Sequence, residues 1–270
     1  MTTINEEGLG IRILPGAGER ILWIHGYTLN STVWRDLWQK LPGYTHVGVD
    51  LPGHGVSRPL NHYDSLARLA SSLARVAREH DIRNLVGMSF GGMVALQLAM
   101  EHPFASLVLA SPALAGGPED KHAQTRNLKL MCAFRDSCQR EALRKIWMRS
   151  PPDIFKGASK HPILWERLAG IIDQHSWNEL NGGEGMMAFT RTPQTAFDLR
   201  QISAATLILV GDDDMSAFKR TAELIRRNVR RCETMYVENA GHLSLLESSD
   251  MVLPSLLNHW KSHAAVCRQR

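Results

Sequence analysis

The amino-acid sequence predicts an α/β fold in which a mainly parallel β-sheet is flanked by helices. Short aliphatic and β-branched runs alternate with longer segments of helical periodicity, a pattern typical of βαβ units around a buried sheet. The composition agrees, since 44% of the 270 residues are hydrophobic and 21% are charged, as in ordinary globular proteins. One interval, residues 113–203, breaks the alternation because it contains helical segments and no convincing strand.

Six segments have the apolar, β-branched character of strands and are bounded by turn residues. These predicted strands are Arg20–Ile24, His46–Asp50, Asn84–Gly87, Ser106–Ala110, Thr206–Val210 and Thr234–Val237. Five further segments repeat apolar residues at helical spacing. These predicted helices are Thr32–Lys40, Ser65–His80, Gly91–Glu101, Phe218–Asn228 and Ser248–His263. Strands and helices therefore alternate on both sides of the interval.

The interval 113–203 is predicted to be a helical cap inserted into a core formed by residues 1–112 and 204–270. Pro151–Pro152 and the Gly-rich stretch 181–185 divide the interval, because proline ends helices and clustered glycine permits turns. The cap is rich in aromatic residues and methionine, and its tryptophans are Trp147, Trp165 and Trp177. Packing of an ordinary helical subdomain would produce the same composition.

Charge and hydropathy restrict the kinds of partner. Lys and Arg total 31 against 27 Asp and Glu, so the formal net charge is +4. The basic residues are scattered, with one cluster at helical spacing: Arg226, Arg227, Arg230 and Arg231. No aromatic residues are interleaved with this cluster, which favours a solvated helix face over a nucleic-acid patch. The sequence shows neither a secretory signal nor an apolar run of about 18 residues. We therefore expect a cytoplasmic protein without nucleic-acid or membrane partners.

A serine lies between a predicted strand and a predicted helix, in the stretch Gly87-Met88-Ser89-Phe90-Gly91-Gly92. A nucleophile elbow requires this context, because the tight turn exposes the hydroxyl and small residues avoid collisions around it. The N-terminus of the following helix also points its positive dipole end toward an anion formed beside the serine. Ser89 is therefore predicted to be a nucleophile.

A serine nucleophile needs a base, and the base needs a carboxylate that orients it. Among twelve histidines, His242 has the expected position, in a Gly-containing loop just after the last predicted strand. The strand Thr206–Val210 is followed by three candidate acids, which are Asp212, Asp213 and Asp214. These three carboxylates cannot all face the histidine, so two of them are expected to be solvated turn residues.

Stabilisation of a tetrahedral oxyanion takes two backbone N–H donors. One is normally the residue after the nucleophile, here Phe90, and the other comes from a loop after an early strand. The loop His25-Gly26-Tyr27 has this position. We expect Gly26 to allow close approach, the Tyr27 amide to donate, and His25 to be a structural hydrogen-bonding residue. The turn Asp50–Gly55 is likewise interpreted as structural.

Taken together, these motifs resemble the serine-nucleophile branch of the α/β-hydrolase superfamily, with a helical cap. The matching motifs, in chain order, are His25-Gly26, Asp50–Gly55, Gly87–Gly92, Gly211–Asp214 and Ala240-Gly241-His242. The resemblance covers nearly the whole chain and implies the α/β-hydrolase fold. In the superfamily the acid commonly lies three positions after the glycine that ends the penultimate core strand, which matches Asp214. The order Ser89, Asp214, His242 is also the order of the superfamily.

The resemblance implies a serine hydrolase that cleaves a carboxylic ester or thioester through an acyl-enzyme. We expect the substrate to be a small molecule with an apolar or aromatic portion, and the pocket to be lined by Trp147, Trp165 and Trp177. Three alternatives stay open: a C–C bond hydrolase or lyase, a cofactor-free perhydrolase on the same triad, and a non-catalytic small-ligand receptor. An intact triad argues against the receptor.

We expect neither a cofactor nor a metal. His259 and His263 lie one helical turn apart, but a metal site needs at least a third ligand. An exposed helix face is the expected interpretation of this pair.

Overall fold

The computed structural model describes residues 1–136, 139–181 and 188–264. Most of the predicted Gly-rich turn therefore lies outside the described residues. The strands are β1 (Thr2–Glu6), β2 (Leu9–Leu14), β3 (Arg20–Ile24), β4 (Thr45–Asp50), β5 (Asn84–Met88), β6 (Ser106–Ala110), β7 (Ala205–Gly211) and β8 (Cys232–Val237). The helices are α1 (Arg35–Gln39), α2 (Leu66–Glu79), α3 (Phe90–Glu101), α4 (Ala123–Asp136), α5 (Arg140–Arg149), α6 (Pro162–Asp173), α7 (Ala196–Leu199), α8 (Ser216–Asn228), α9 (Ser244–Glu247) and α10 (Ser249–Ala264).

The strands form one sheet in the order β1-β2-β4-β3-β5-β6-β7-β8. Strands β3 to β8 are all parallel to one another. Strand β2 pairs antiparallel with both of its neighbours, β1 and β4. The predicted α/β fold with a mainly parallel sheet is confirmed. Each of the six predicted strands is present, with small differences at the ends.

The sequence pattern did not predict the N-terminal hairpin of β1 and β2. Strand β1 is mostly exposed and polar, so it shows no apolar alternation. In β2 the pattern is broken by Arg12, which is nevertheless buried because its Nη1 donates to Asp50 at 2.6 Å. The turn between the two strands contains Glu7 and Gly8, with φ angles of 55° and 75°.

Alternating side chains of the central strands divide the core between the two faces of the sheet. In β3, Leu22 and Ile24 join a cluster with residues of α2, α3 and α8. Ile21 and Trp23 point to the opposite face, where they join residues of α1 and α10. Because strands β3 to β8 are parallel, the loops that follow them emerge at the same edge of the sheet. The candidate catalytic residues Ser89, Asp214 and His242 lie in these loops.

The interval between β6 and β7 contains α4 to α7 and, among its described residues, no strand. Many of its apolar side chains, such as Leu130, Trp147 and Leu168, pack into the cluster on the α1 and α10 side. Others, such as Phe189 and Leu199, pack into the cluster on the opposite face. No helix of the described residues combines the length and apolarity needed to cross a bilayer.

Asp50, the last residue of β4, connects three segments of the core. Its fully buried carboxylate accepts the N–H and O–H of Ser31 at 2.7 and 2.6 Å, the N–H of Val56 at 2.9 Å, and the ion pair with Arg12. Burial by itself would raise the pKa of Asp50, but nearby His25 and the donors of Ser31 and Val56 outweigh it and lower that pKa.

Replacing Asp50 with asparagine should destabilise the fold by about 3–5 kcal/mol, because it leaves the Arg12 cation buried without its partner. A carboxylate with a lowered pKa contributes stability above its unfolded pKa of about 3.9 and loses it as the pH falls through the folded pKa. Urea unfolding of the variant should therefore show less loss of stability below pH 4 than the wild type. Asp250→Asn, whose side chain is 84% exposed, is the control. Equal free energies of unfolding for Asp50→Asn and wild type at pH 7 would show that the buried Asp50–Arg12 pair does not stabilise the fold.

Candidate active site

Ser89 lies on a sharp turn between β5 and α3. Its backbone has φ 55° and ψ −118°, a strained conformation for a residue with a side chain. The turn is held by hydrogen bonds, because the Ser89 N–H donates to Ala110 of β6 at 2.9 Å and the Ser89 carbonyl accepts the N–H of Gly92 at 2.9 Å. A Cβ atom on Gly91 would collide with backbone carbonyl oxygens of β3 and the following loop. The segment Gly-x-Ser-x-Gly thus forms a tight strand-to-helix turn.

His242 connects the serine to one of the three candidate acids. Its Nε2 lies 2.9 Å from Ser89 Oγ, and its Nδ1 lies 3.0 Å from Asp214 Oδ1. Because a carboxylate can only accept, Nδ1 carries the proton and Nε2 is free to accept the proton of the serine hydroxyl. The rings of His242 and Phe218 have their centroids 4.1 Å apart. His242 and Asp214 are buried, whereas Ser89 is partly exposed.

The other two aspartates point elsewhere. Asp212 and Asp213 are exposed, and the Asp213 carboxylate pairs with Lys160 at 3.1 Å. Asp214 is buried, and its Oδ1 also accepts the N–H of Met215 at 2.7 Å. The structure thus brings Asp214 to His242, in agreement with the offset that the superfamily resemblance implies.

The loop that carries His242 is held by Glu247, a residue that the sequence analysis missed. The Glu247 carboxylate accepts the N–H of Gly241 at 2.5 Å and the N–H of Leu243 at 3.2 Å. These are the residues on either side of His242. Burial raises the pKa of Glu247. A glutamate five positions after a loop histidine carries no distinctive signal in one sequence.

The loop after β3 lies against Ser89. A Cβ atom built on Gly26 would be 3.4 Å from the Cβ of Ser89, so the chain at Gly26 passes close to the serine. His25 Nδ1–H donates to the carbonyl of Gly26 at 2.8 Å, and its Nε2 accepts the N–H of Leu51 at 3.1 Å. Burial lowers the pKa of His25 to about 4. Both ring nitrogens are engaged, which fits a structural residue and leaves no free base there.

Tyr27 links this loop to the helical insert. Its hydroxyl donates to Glu179 at 2.5 Å, and the same carboxylate oxygen accepts from His175 Nε2 at 2.9 Å. Burial, followed by the neighbouring Glu179, raises the pKa of Tyr27 well above its ordinary value. Neither His175 nor Glu179 was predicted to be near the site. Their contact with Tyr27 depends on how the insert packs, which local sequence does not reveal.

Two of the three predicted pocket tryptophans lie beside Tyr27. The ring centroids of Trp147 and Trp177 are 5.0 and 6.4 Å from that of Tyr27. Trp165, which is partly buried on α6, lines a separate groove of about 540 Å³ together with residues of α5 and the following loop. The structure therefore brings Trp147 and Trp177, and not Trp165, into the aromatic cluster at the loop after β3.

The expectation of an exposed histidine pair on the last helix is wrong for His259. This side chain is 8% exposed, and its Nε2–H donates to the carbonyl of Ala205 at 3.1 Å. The residue covers the start of β7 and is not solvated. Within the described ranges, no group of three or more His, Cys, Asp or Glu residues is arranged to hold a metal ion.

The chain is similar in sequence and in fold to known proteins. The profile of a family described as "Alpha/beta hydrolase family" matches residues 21–253. The pimeloyl-[acyl-carrier protein] methyl ester esterase of Neisseria meningitidis serogroup C is 37% identical over 245 residues, which cover 88% of this chain and 91% of that protein. Monoacylglycerol lipase abhd6-B of Xenopus laevis is 28% identical over 247 residues, 86% of this chain and 72% of the relative. The structure of MenH from S. aureus has the same fold, with a TM-score of 0.78 at 21% identity over 94% of this chain and 98% of that one.

Proposed function

Because the chain belongs to the alpha/beta hydrolase family of enzymes, we propose that it hydrolyses carboxylic esters with Ser89 as the nucleophile. The observation that carries this proposal is the continuous hydrogen-bonded series from Ser89 Oγ through His242 to Asp214. The relatives named as a methyl ester esterase and a monoacylglycerol lipase support ester hydrolysis over C–C bond cleavage.

The first half of the reaction forms an acyl-enzyme. His242 Nε2 takes the proton of Ser89 as Oγ attacks the acyl carbon, and Asp214 stabilises the imidazolium that results. The backbone N–H groups of Tyr27 and Phe90 bind the developing oxyanion. Phe90 begins α3, so the positive end of this helix also faces the new charge. His242 then gives its proton to the leaving alcohol, and the C–O bond breaks.

The second half releases the acid. Water enters, gives a proton to His242 and attacks the acyl carbon, and the serine leaves with the proton returned from the imidazolium. Neutral His25 does not compete as a base, because its ring nitrogens are both engaged in hydrogen bonds. Glu247 holds the backbone on both sides of His242 in position during both halves.

Residues 113–203 are proposed to act as a cap on a core of residues 1–112 and 204–270. The support is the contact between Tyr27 of the core and Glu179, Trp147 and Trp177 of the insert. Tyr27, which makes this contact, belongs to the proposed oxyanion loop. The aromatic surroundings favour an ester, or a thioester, with an apolar or aromatic portion.

The direct test is hydrolysis of a series of p-nitrophenyl esters with acyl chains from two to twelve carbons by the purified protein. We expect turnover that depends on chain length and that stops after treatment with a fluorophosphonate. Folded protein that turns over no member of the series above the uncatalysed rate would refute the proposed function.

Replacing Trp147 with phenylalanine should change the choice of acyl chain. Its ring contacts Tyr27, so a smaller ring alters the space beside the oxyanion loop. We expect the ratio of kcat/KM between long and short esters to shift by roughly tenfold, about 1.4 kcal/mol of differential transition-state binding. Trp165→Phe is the matched control, because Trp165 lines a separate groove. Profiles of Trp147→Phe and wild type that superimpose, with both proteins folded, would make Trp147 a packing residue only.

A further inference from the structure

Arg126, on α4 of the insert, is a buried cation that hydrogen-bonds to no carboxylate of the described residues. The residue is 6% exposed, and its Nε has no hydrogen-bond partner among the described residues. Nη1 makes one long bond, 3.5 Å, to the carbonyl of Pro152. Burial lowers the pKa of Arg126 to about 10, which leaves the guanidinium charged at neutral pH. Buried arginines are ordinarily paired with a carboxylate, because the unpaired charge is costly.

The position of this cation connects it to the proposed active site. The Arg126 guanidinium carbon lies 3.9 Å from the centroid of the Trp147 ring, within the range of a cation–π contact. Trp147 in turn contacts Tyr27, whose neighbour Gly26 lies against Ser89. Arg126 is therefore separated from the oxyanion loop by one aromatic ring.

Two described carboxylates of this region, Glu179 and Asp120, form no hydrogen bond with the guanidinium. Glu179 accepts from the Tyr27 hydroxyl and from His175. Asp120 is partly exposed, and its Oδ1 accepts the N–H of His122. Both therefore have other donors, and the Nε–H of Arg126 has no acceptor among the residues that the structure describes.

We propose that Arg126 is a specificity-determining residue that binds a carboxylate at the distal end of the acyl chain of the ester substrate. This inference rests on the proposed function and adds a class of substrate to it: the half-ester of a dicarboxylic acid. A carboxylate presents two oxygens in the geometry that a guanidinium fork matches. Little water surrounds the buried guanidinium, which strengthens the pairing. The Trp147 ring holds the guanidinium plane ready, so little side-chain entropy is lost on binding.

The test compares two matched series of p-nitrophenyl esters, with acyl chains of four to eight carbons. One series ends in a free carboxylate and the other ends in a methyl group. The proteins are wild type, Arg126→Gln, Arg126→Lys and the control Arg135→Gln, which makes the same change at an exposed position of α4. The kcat/KM values and the thermal midpoint Tm are measured for each.

We expect Arg126→Gln to lower the ratio of kcat/KM between carboxylate-ended and methyl-ended esters by about tenfold, or about 1.4 kcal/mol, at the chain length that reaches the guanidinium. Arg126→Lys should keep part of this ratio, and Arg135→Gln should keep all of it. The methyl-ended series should lose much less activity than the carboxylate-ended series in both Arg126 variants, and Arg135→Gln should hydrolyse both series at wild-type rates. The Tm of Arg126→Gln should equal or exceed that of wild type, because the variant removes a buried charge that hydrogen-bonds to no described carboxylate.

Two results would overturn the inference while leaving the proposed function intact. One is an unchanged ratio in Arg126→Gln with normal turnover of methyl-ended esters. The other is a lowered Tm with equal losses on both series, which would make Arg126 a structural residue. A wild-type protein that hydrolyses neither series would instead refute the proposed function and, with it, the inferred class of substrate.

Discussion

Replacing Ser89 with alanine should abolish ester hydrolysis and leave a folded protein. The hydroxyl is the atom proposed to bond to the acyl carbon, and no other group in the hydrogen-bonded series can replace it. Removal of a serine nucleophile costs about six orders of magnitude in kcat in a serine protease, and we expect a loss of similar size here. The turn should survive, because it is held by backbone hydrogen bonds of Ser89 and not by its side chain.

The measurement is kcat with a p-nitrophenyl ester, together with the Tm of each protein. Ser111→Ala is the matched control, because Ser111 is also a serine directly after a strand with positive φ. Ser111 is buried, and its Oγ has no partner among the described residues. The control should retain activity within about twofold, an effect well under the 1.4 kcal/mol of a tenfold change. A Ser89→Ala protein with more than a few per cent of wild-type kcat would remove Ser89 from the role of nucleophile.

Replacing Asp214 with asparagine should lower kcat by three to four orders of magnitude, as the corresponding change does in a serine-protease triad (roughly 10⁴). The asparagine amide can donate to Nδ1, which favours the tautomer with the proton on Nε2. That tautomer cannot accept the proton of Ser89. The new side chain is also uncharged and does not stabilise the imidazolium.

The neighbouring aspartates provide internal controls for this second prediction. Asp212→Asn and Asp213→Asn make the same chemical change on exposed side chains. Asp213→Asn also removes the surface ion pair with Lys160, and exposed pairs of this kind contribute about 0–1 kcal/mol. Kinetics in which either control loses more activity than Asp214→Asn would reassign the acid.

Local sequence predicts the parts of the molecule that depend on local geometry. The elbow at Ser89 needs a strand, a tight turn and a helix in succession, and all three leave a pattern within about fifteen residues. The buried parallel strands are nearly continuous apolar runs, which explains why six of them were predicted. Asp214 was a different case, because three adjacent carboxylates satisfied the local criteria and the superfamily offset was needed to choose among them.

Long-range packing accounts for what the sequence analysis missed. The hydrogen bond between Tyr27 and Glu179 joins residues 152 positions apart, and no periodicity encodes it. Arg12 and Arg126 are buried cations, which a hydropathy pattern assigns to the surface. In the sequence, Trp165 cannot be distinguished from Trp147 and Trp177 as a pocket residue, yet on α6 it lines a different groove. Which side of an insert faces the core is decided by all of its helices together.

The most direct measurement of the central claim is intact-protein mass spectrometry after reaction with a fluorophosphonate, followed by mapping of the labelled peptide. We expect one adduct per chain, located on Ser89. The adduct should be absent in Ser89→Ala, and it should form much more slowly in His242→Ala because the base that activates the hydroxyl is missing. An adduct at a different residue, or unmodified wild-type protein under conditions that label a serine esterase, would contradict the assignment of Ser89, His242 and Asp214.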